Sequence, residues 1–386
     1  MTDFQALASA NAPYGAFVEF DSGASGGAGP LGGVTLGVKA NIMVKGLAWT
    51  AGMELYRTRR AHRDAAAVAL LRAAGAEVLG TLNMHEAALG AHGDNPFYGT
   101  CHNPRRAGFS PGGSSSGSAA AVAAGLCDLA LGTDTLGSIR IPAAYCGVYG
   151  LKPTHGAVSQ DGLACLEPEF DCIGPLARSL DLIERCWAVL SPASPPPPPV
   201  PLRRMLVLDG LGAVTCEPAV LSAYEAALAQ ARLPRETLAL ADDAAAIRRA
   251  GLARAGQWLL RDMGPLYRSD SPHFSEELHF ILGACARMAP QGEVLERTRT
   301  ALHTALGDDG VLILPTAPQP AFAHGTRPPA NQADFTALAS VAGLPALSIP
   351  AGCEAGGLPV GVQLVGPMGS ENALIALARQ IEAKGD

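Results

Sequence analysis

Short apolar runs alternate with stretches of helical periodicity along most of the chain. The pattern predicts strands over Val34–Val38, Glu77–Gly80, Asp128–Gly132, Met205–Leu208, Ala346–Ile349 and Val360–Val365. It predicts helices over Ala65–Ala74, Ser116–Gly125, Ala219–Ala231 and Glu371–Ala383. Strands that alternate with helices are typical of an α/β layer fold with a mostly parallel sheet. This is the fold class that we expect.

One low-complexity segment interrupts this pattern. Residues 191–201 contain a run of prolines, and such a run forms an extended, semi-rigid connector. The connector separates a glycine-rich N-terminal half from a C-terminal half that carries fewer motifs. No internal repeat with the period of a solenoid or a propeller is found.

Composition and charge exclude several classes of protein. The chain is 48% hydrophobic and only 16% charged, whereas about 25% charged residues is typical. This excludes a disordered chain or a coiled coil and indicates a compact core of small aliphatic side chains. The net charge is −7 and there is no basic run. Nucleic acids and anionic membranes are therefore not expected as partners.

The cysteines and the termini bear on the compartment. The nine cysteines are odd in number, and no pair has the Cys-x-x-Cys spacing. This pattern fits neither a disulfide framework nor a zinc site, and it favours a reducing cytoplasmic environment. Residues 1–21 do not resemble a signal peptide. The longest apolar tract, Ala119–Leu131, contains an aspartate and is too short to span a bilayer.

Lysine is rare in this chain, and one lysine lies within an apolar run. Lys39 follows Gly37 and Val38 in a predicted strand. Its side chain either reaches the surface along its aliphatic stem or is held in the interior. Burial would lower the pKa of the amine and make it a general base at neutral pH. The residues alone leave both alternatives open.

A glycine- and serine-rich loop precedes the Ala-rich helix. Serine is a preferred helix N-cap, and backbone N–H groups at a helix start attract anions. The chain lacks the Gly-x-x-x-x-Gly-Lys and Gly-x-Gly-x-x-Gly motifs of nucleotide-binding proteins. Gly113–Gly117 does match the Gly-x-Ser-x-Gly nucleophile elbow, with Ser115 at its centre. That motif requires a strand directly before it, and residues 103–111 do not form a strand pattern.

A third segment follows a predicted strand that ends at Gly132. Thr133–Gly137 is polar and flexible, and it presents Ser138. Successive backbone N–H groups in such a turn can converge on one point and form an oxyanion hole. An ordinary turn between a strand and a loop is the alternative.

Taken together, the three segments resemble the amidase signature family. The matching stretches read Gly-Gly-Ser-Ser-Ser-Gly-Ser over 112–118 and Gly-Thr-Asp-Thr-Leu-Gly-Ser-Ile-Arg over 132–140. The lysine of the pattern, Lys39, precedes Ser114 by 75 residues. Further similar stretches are 80–86, 147–154, 170–178 and 358–365. The resemblance is dense over 37–178, returns at 341, and is poor over about 200–330.

The resemblance implies a role for each matching residue. Ser138 would be the acylating nucleophile, Ser114 would follow a cis peptide bond and pass protons, and Lys39 would be the neutral base. The oxyanion would be held by the backbone N–H groups of Thr135, Leu136, Gly137 and Ser138. No cofactor or metal is implied. No histidine is required either, so His85, His92 and His102 are not expected to act as catalytic groups.

The resemblance also implies the architecture. We expect one domain over residues 1–386, built on a mixed, mostly parallel central sheet with helices on both faces. Its parts would be a catalytic core at about 30–190, the connector at 191–201, a variable substrate-pocket region at about 202–335, and C-terminal strands and a helix at 336–386.

Two departures from the family pattern affect the expected substrate. Leu136 replaces a glycine that the family usually has in the oxyanion loop, so the acyl pocket would differ in size or shape. The chain is also short, which resembles compact amidases that act on small amides more than long tRNA-dependent amidotransferase subunits. We therefore expect a cytoplasmic amidase that converts a small linear carboxamide to carboxylate and ammonia.

Two alternatives remain for this activity. One is hydrolysis of an acyl-urea of the allophanate or carboxybiuret type. The other is a subunit that is active only with a partner chain. A homodimer is a further expectation, and a small accessory subunit is compatible with the sequence.

Overall fold

The computed structural model describes residues 2–191 and 201–382. The strands are β1 (Phe17–Phe20), β2 (Thr35–Lys39), β3 (Glu77–Leu82), β4 (Leu129–Asp134), β5 (Tyr149–Lys152), β6 (Cys172–Ala177), β7 (Arg204–Leu208), β8 (Arg235–Leu238), β9 (Gly310–Pro315), β10 (Ala346–Cys353) and β11 (Pro359–Val365). The helices are α1 (Phe4–Asn11), α2 (Ala66–Ala73), α3 (Ser116–Ala123), α4 (Arg140–Cys146), α5 (Leu180–Leu190), α6 (Pro218–Ala231), α7 (Ala244–Met263), α8 (Glu276–Arg287), α9 (Gly292–Leu306), α10 (Thr336–Val341) and α11 (Glu371–Glu382). Most of the predicted connector and the predicted helix end at Ala383 lie outside the described residues.

These strands form one sheet in the order β1-β3-β2-β4-β6-β5-β10-β11-β9-β7-β8. The mixed α/β class is confirmed. The expectation of a mostly parallel sheet is wrong, because only the β3–β2, β2–β4, β9–β7 and β7–β8 pairs are parallel. The other six neighbouring pairs in the described sheet are antiparallel.

The error has a physical cause in the central strands. Parallel neighbours need a crossover connection, and the sequence pattern identified the strand–helix–strand units that supply one. It missed β5, β6 and β9, which are buried runs without polar alternation, and also β1 and β8 at the two ends of the sheet. Strand β6 also contains Gly174 and Pro175, and proline is atypical of a central strand. The predicted elements themselves are all present, with described ends within four residues of the expected ones.

Helices cover both faces of the sheet, as expected. Alternate residues of β4 enter two separate cores, because successive side chains of a strand point to opposite faces. Leu129 and Leu131 pack with residues of α2 and α5, whereas Ala130 packs with the Ala-rich α3. Helix α3 can approach closely because Gly117 lacks a side chain, and a Cβ there would lie 2.4 Å from the carbonyl oxygen of Ala16.

The parallel pairing of β2 with β4 positions the polar residues of both strands. Val38 pairs with Leu131, so the next residues, Lys39 and Gly132, lie side by side at the same edge. Ligands of open α/β sheets bind at this carboxyl edge of parallel strands. The loop that precedes α3 belongs to the crossover from β3 to β4 and returns to the same edge. Within the described ranges, no helix has the length and apolarity needed to cross a membrane.

Candidate active site

The amine of Lys39 lies in the interior at the end of β2. Its side chain is 0% exposed. Of the two alternatives that the sequence left open, Lys39 is therefore held in the interior and does not reach the surface. Nζ lies 2.7 Å from Ser114 Oγ and 2.7 Å from Thr133 Oγ1. The Asn41 side-chain amide donates to the same Thr133 hydroxyl at 3.1 Å. The amine is therefore held by hydroxyl groups and has no carboxylate within hydrogen-bond distance among the described residues.

Burial changes the protonation of this amine. Desolvation lowers the pKa of Lys39 from 10.5 to about 7, and the negative charges of Asp171 and Asp134 oppose this shift. Asp171 is itself buried, and desolvation raises its pKa to about 6. At neutral pH a large fraction of the Lys39 amine is unprotonated. It can then accept a proton from the adjacent Ser114 hydroxyl.

The Gly113–Ser114 peptide bond is cis, as the resemblance implied. The backbone here is closely packed: a Cβ on Gly113 would lie only 2.7 Å from the carbonyl oxygen of His92. The carbonyl of Ser114 accepts a hydrogen bond from the His85 amide at 3.1 Å. These contacts leave the Ser114 hydroxyl directed at Lys39 Nζ.

Ser115 has a different environment from the other two serines. Its hydroxyl is buried and donates to the carbonyl of Thr133 at 3.2 Å. Its amide donates to the carbonyl of Ser138 at 3.2 Å, so the serine loop and the turn after β4 are in direct contact. The nucleophile-elbow alternative therefore gains no support, since the Ser115 hydroxyl is engaged with the backbone.

A buried ion pair shapes the turn that presents Ser138. Asp134 accepts two hydrogen bonds from Arg140, both at 2.9 Å, and neither side chain is exposed to solvent. The same carboxylate accepts from the amides of Gly137 at 2.7 Å and Ile139 at 3.2 Å. Burial alone would raise the pKa of Asp134, but the adjacent Arg140 guanidinium brings it below its ordinary value.

This arrangement corrects the predicted set of oxyanion donors. The Gly137 amide already donates to Asp134, so it is not free for a substrate oxygen. The amides of Thr135, Leu136 and Ser138 have no acceptor within the part of the chain that the structure describes. Gly137 also has a φ of 137°, a conformation that residues with a Cβ rarely adopt. Its role is thus to shape the turn.

A cavity of about 160 Å³ opens at Ser138, which is 9% exposed. The walls are mainly apolar and come from the 88–91 segment, the turn after β4, α7, α8 and residues 329–333. Leu136 lines the cavity as expected and also packs on α7, where a Cβ on Gly251 would lie 2.8 Å from its methyl group. Arg248 is the charged residue of the described lining.

Two histidines, His85 and His92, contact the loop that carries Ser114. Their rings do not approach Lys39 or Ser138 through any hydrogen bond in the described structure. The His92 ring instead contacts Glu277 at 2.9 Å, and His85 Nδ1 contacts the His92 carbonyl oxygen at 3.2 Å. Sequence reasoning missed Arg248 and Glu277, because both lie in the region where the motifs end.

Comparison with known proteins shows the family of this chain. The amidase family profile matches residues 17–201 and 276–375, which is most of the chain. The chain belongs to the amidase signature family. It is accordingly an enzyme that acts on amide C–N bonds. The unmatched residues 202–275 include α7, which supplies one wall of the cavity.

Individual relatives are similar over nearly the whole chain. A glutamyl-tRNA(Gln) amidotransferase subunit of Thermus thermophilus is 38% identical, covering 92% of this chain and 85% of that protein. This identity does not support the expectation that the chain is less like such subunits.

Two solved structures extend the comparison. A protein from a vestigial complex that reveals the origins of an s-triazine catabolic enzyme has a TM-score of 0.87 at 29% identity, covering 99% and 94% of the two chains. An allophanate hydrolase of Kluyveromyces lactis has a TM-score of 0.75 at 28% identity, covering 92% of this chain and 62% of that one.

The buried amine predicts a pH-dependent effect on stability. Lys39→Met removes a group whose pKa is lower in the folded than in the unfolded chain. The unfolded state of the wild type binds the extra proton between pH 7 and 10.5, so wild-type stability rises with pH in this window relative to the variant. At pH 7 the variant lacks the cost of this group. We therefore expect its free energy of unfolding, relative to that of the wild type, to fall by on the order of 4 kcal/mol from pH 7 towards pH 10.5.

Denaturant unfolding of both proteins from pH 6.5 to 9.5 measures this difference. The wild-type and variant curves should converge as the pH rises. A difference that stays constant across the range would contradict the depressed pKa of Lys39.

Proposed function

We propose that this protein hydrolyses a small linear carboxamide to a carboxylate and ammonia through an acyl-enzyme on Ser138. The observation that carries the proposal is the buried, partly neutral Lys39 amine at 2.7 Å from the Ser114 hydroxyl. Ser138 lines the cavity, and its carbonyl oxygen accepts a hydrogen bond from the amide of Ser115, the residue after Ser114. These contacts support the roles of Lys39 as base, Ser114 as proton bridge and Ser138 as nucleophile.

Each half-reaction balances its protons through the same groups. Ser138 Oγ attacks the amide carbon and gives its proton to Ser114 Oγ, which gives its own proton to Lys39 Nζ. The free amides of Thr135, Leu136 and Ser138 are the proposed donors to the oxyanion. The relay then runs in reverse and protonates the leaving nitrogen as the C–N bond breaks. A water molecule repeats the sequence on the acyl-enzyme and releases the carboxylate.

The surrounding charges suit a base that is only transiently protonated. Asp134 and Asp171 lie close enough to favour the charged form of Lys39, while desolvation favours the neutral form. The result is a pKa near neutrality, where a general base is most effective. A lysine in water would be protonated at this pH and could not begin the reaction.

One residue of the cavity supports a second candidate substrate. Its volume fits a small acyl group, and its apolar walls carry one guanidinium, that of Arg248. Arg248 donates to Asp334 through Nε at 2.5 Å, which leaves its other nitrogen donors for a ligand. A planar carboxylate is the group that a guanidinium binds best. This observation favours the second candidate, an acyl-urea that carries a carboxylate, and the similar allophanate hydrolase agrees with it.

Dependence on a partner chain is the remaining alternative. The Thermus thermophilus relative is named as a subunit of an amidotransferase, and one structural neighbour comes from a protein complex. We propose that the chain has basal activity alone, since the base, bridge and nucleophile all come from one polypeptide. A homodimer or a small accessory subunit would then modulate this activity.

Covalent labelling tests the nucleophile. An electrophilic phosphonate should add its mass to the peptide that contains Ser138, and Ser138→Ala should abolish the labelling. The same purified chain should release ammonia from a small amide without a second protein. Labelling at Ser115 would support the elbow alternative and contradict the mechanism.

Replacement of Lys39 tests the base. Lys39→Ala and Lys39→Arg should each lower kcat by about a hundredfold or more, because the first lacks a proton acceptor and a guanidinium does not lose its proton. In the wild type, kcat/KM should rise through about pH 7 and stay high in alkali. A histidine base would titrate near pH 6.5, which is close to the value for Lys39. The activity of the arginine variant therefore distinguishes a lysine base from a histidine base.

Lys45→Ala is the matched control, because Lys45 is exposed and lies six residues further along the chain. It should retain nearly full activity. Near-normal turnover of Lys39→Arg would overturn the neutral-lysine mechanism.

Substitution of Arg248 tests the substrate type. Arg248→Gln should raise KM for a carboxylate-bearing amide or acyl-urea by about 10- to 100-fold, the value of a charged hydrogen bond. It should leave KM for a neutral aliphatic amide nearly unchanged. Arg248→Gln leaves the Asp334 carboxylate without its guanidinium partner. The double variant Arg248→Gln, Asp334→Asn removes this unpaired charge and therefore controls for effects on folding. Exposed Arg249→Gln is the matched control, and an equal effect on both substrates would contradict carboxylate recognition.

A further inference from the structure

Three potential metal ligands converge outside the lysine–serine machinery. His85 and His92 are 4% and 5% exposed, and their rings meet edge to face with centroids 4.4 Å apart. Glu277 from α8 reaches both rings. One of its oxygens lies 2.9 Å from His92 Nε2, and the other lies 3.9 Å from His85 Nε2. The three ligating atoms all lie within 4.8 Å of one another.

The partners of the other ring nitrogens define the protonation of His85. Its Nδ1 lies 3.2 Å from the carbonyl oxygen of His92. A carbonyl only accepts, so Nδ1 carries the proton and Nε2 presents a lone pair towards Glu277. His92 Nδ1 lies 3.4 Å from the Asp94 amide and 3.5 Å from the Asp94 carboxylate. Metal binding at Nε2 would place the ring proton on Nδ1, where the carboxylate can accept it. A carbonyl or carboxylate behind each imidazole is the usual outer shell of a metal-binding histidine.

We propose that His85, His92 and Glu277 bind one Zn²⁺ ion. Two imidazoles and one carboxylate with a free fourth position form a common zinc ligand set. Bonds of about 2.0–2.1 Å in a tetrahedral site place ligands about 3.4 Å apart. The two separations from Glu277, 2.9 and 3.9 Å, bracket this value, and the ring nitrogens lie within 4.8 Å of each other. Small shifts of the Glu277 carboxylate and of the two imidazoles would form the site. The Glu277 side chain is 42% exposed and gives the ion access from solvent.

The position of the site indicates a structural role. His85 and His92 flank the 88–91 segment that lines the cavity. The His85 amide donates to the Ser114 carbonyl at 3.1 Å, and the Ser116 hydroxyl donates to the His92 carbonyl at 3.5 Å. A bound ion would therefore fasten α8 to the cavity wall and to the loop that carries Ser114. The ion takes no part in the lysine–serine chemistry, so this inference stands independently of the proposed function.

Zinc titration of the chelator-treated protein tests the site. A Cys353→Ser background removes the exposed thiol that could bind the metal elsewhere. We expect one Zn²⁺ per chain by isothermal titration calorimetry, and an increase in the thermal unfolding midpoint of about 3 °C or more at a hundredfold excess of Zn²⁺ over Kd.

Glu277→Gln should weaken zinc binding by about a hundredfold, since loss of even an outer-shell partner costs about 10–100-fold in metal affinity. Exposed Glu276→Gln, the neighbour on the same helix, should bind as the parent does.

Cobalt substitution gives a second measurement that does not depend on folding of a variant. Co²⁺ in the parent should show the intense visible bands of a four- or five-coordinate nitrogen and oxygen site. Three results would overturn the proposal: no stoichiometric binding, equal zinc affinity in Glu277→Gln and the parent, or a thiolate-to-cobalt absorption that assigns the metal to cysteines.

Discussion

The ion pair between Asp134 and Arg140 is the constraint on which the site geometry depends. Isolated buried charges are very costly, and removal of one partner leaves the other uncompensated. Arg140 also donates to Ser340 on α10 and to Gln363 on β11, each at 2.8 Å. The pair therefore holds the turn that presents Ser138 against the C-terminal part of the sheet. The two regions of family resemblance, which are far apart in sequence, meet at this guanidinium.

The same carboxylate links the turn to the base. Asp134 lies close enough to Lys39 to oppose the effect of desolvation on the amine, together with Asp171. Asp171 in turn accepts a hydrogen bond from Thr135, the first residue of the turn. Both charges that affect the pKa of Lys39 thus also shape the turn that carries Ser138, the proposed nucleophile. A change in either carboxylate would alter the protonation of Lys39 and the position of the proposed oxyanion donors together.

The sequence predicted the parts of the site that are formed by residues contiguous in the chain. The apolar strand around Lys39, the Gly/Ser loop and the turn after β4 are contiguous motifs, and parallel pairing of β2 with β4 brings two of them to one edge. The sequence did not reveal that the Gly137 amide is bonded to a side chain, because that depends on the conformation of the turn. It also did not reveal Arg248 or Glu277, whose partners lie 86 and 185 residues away in the chain.

The residues proposed to react and many of the residues that line the cavity come from different parts of the chain. The groups proposed to react come from residues 39–138, whereas eight of the eighteen residues that line the cavity come from α7, α8 and residues 329–333. Leu136 connects the two parts, since it belongs to the turn and packs on Gly251 of α7. A larger residue at 251 would displace the Leu136 side chain and move the backbone amide that is a proposed oxyanion donor. In this chain the variable helix and the oxyanion loop must therefore change together, which limits how far the pocket can vary while the same chemistry is kept.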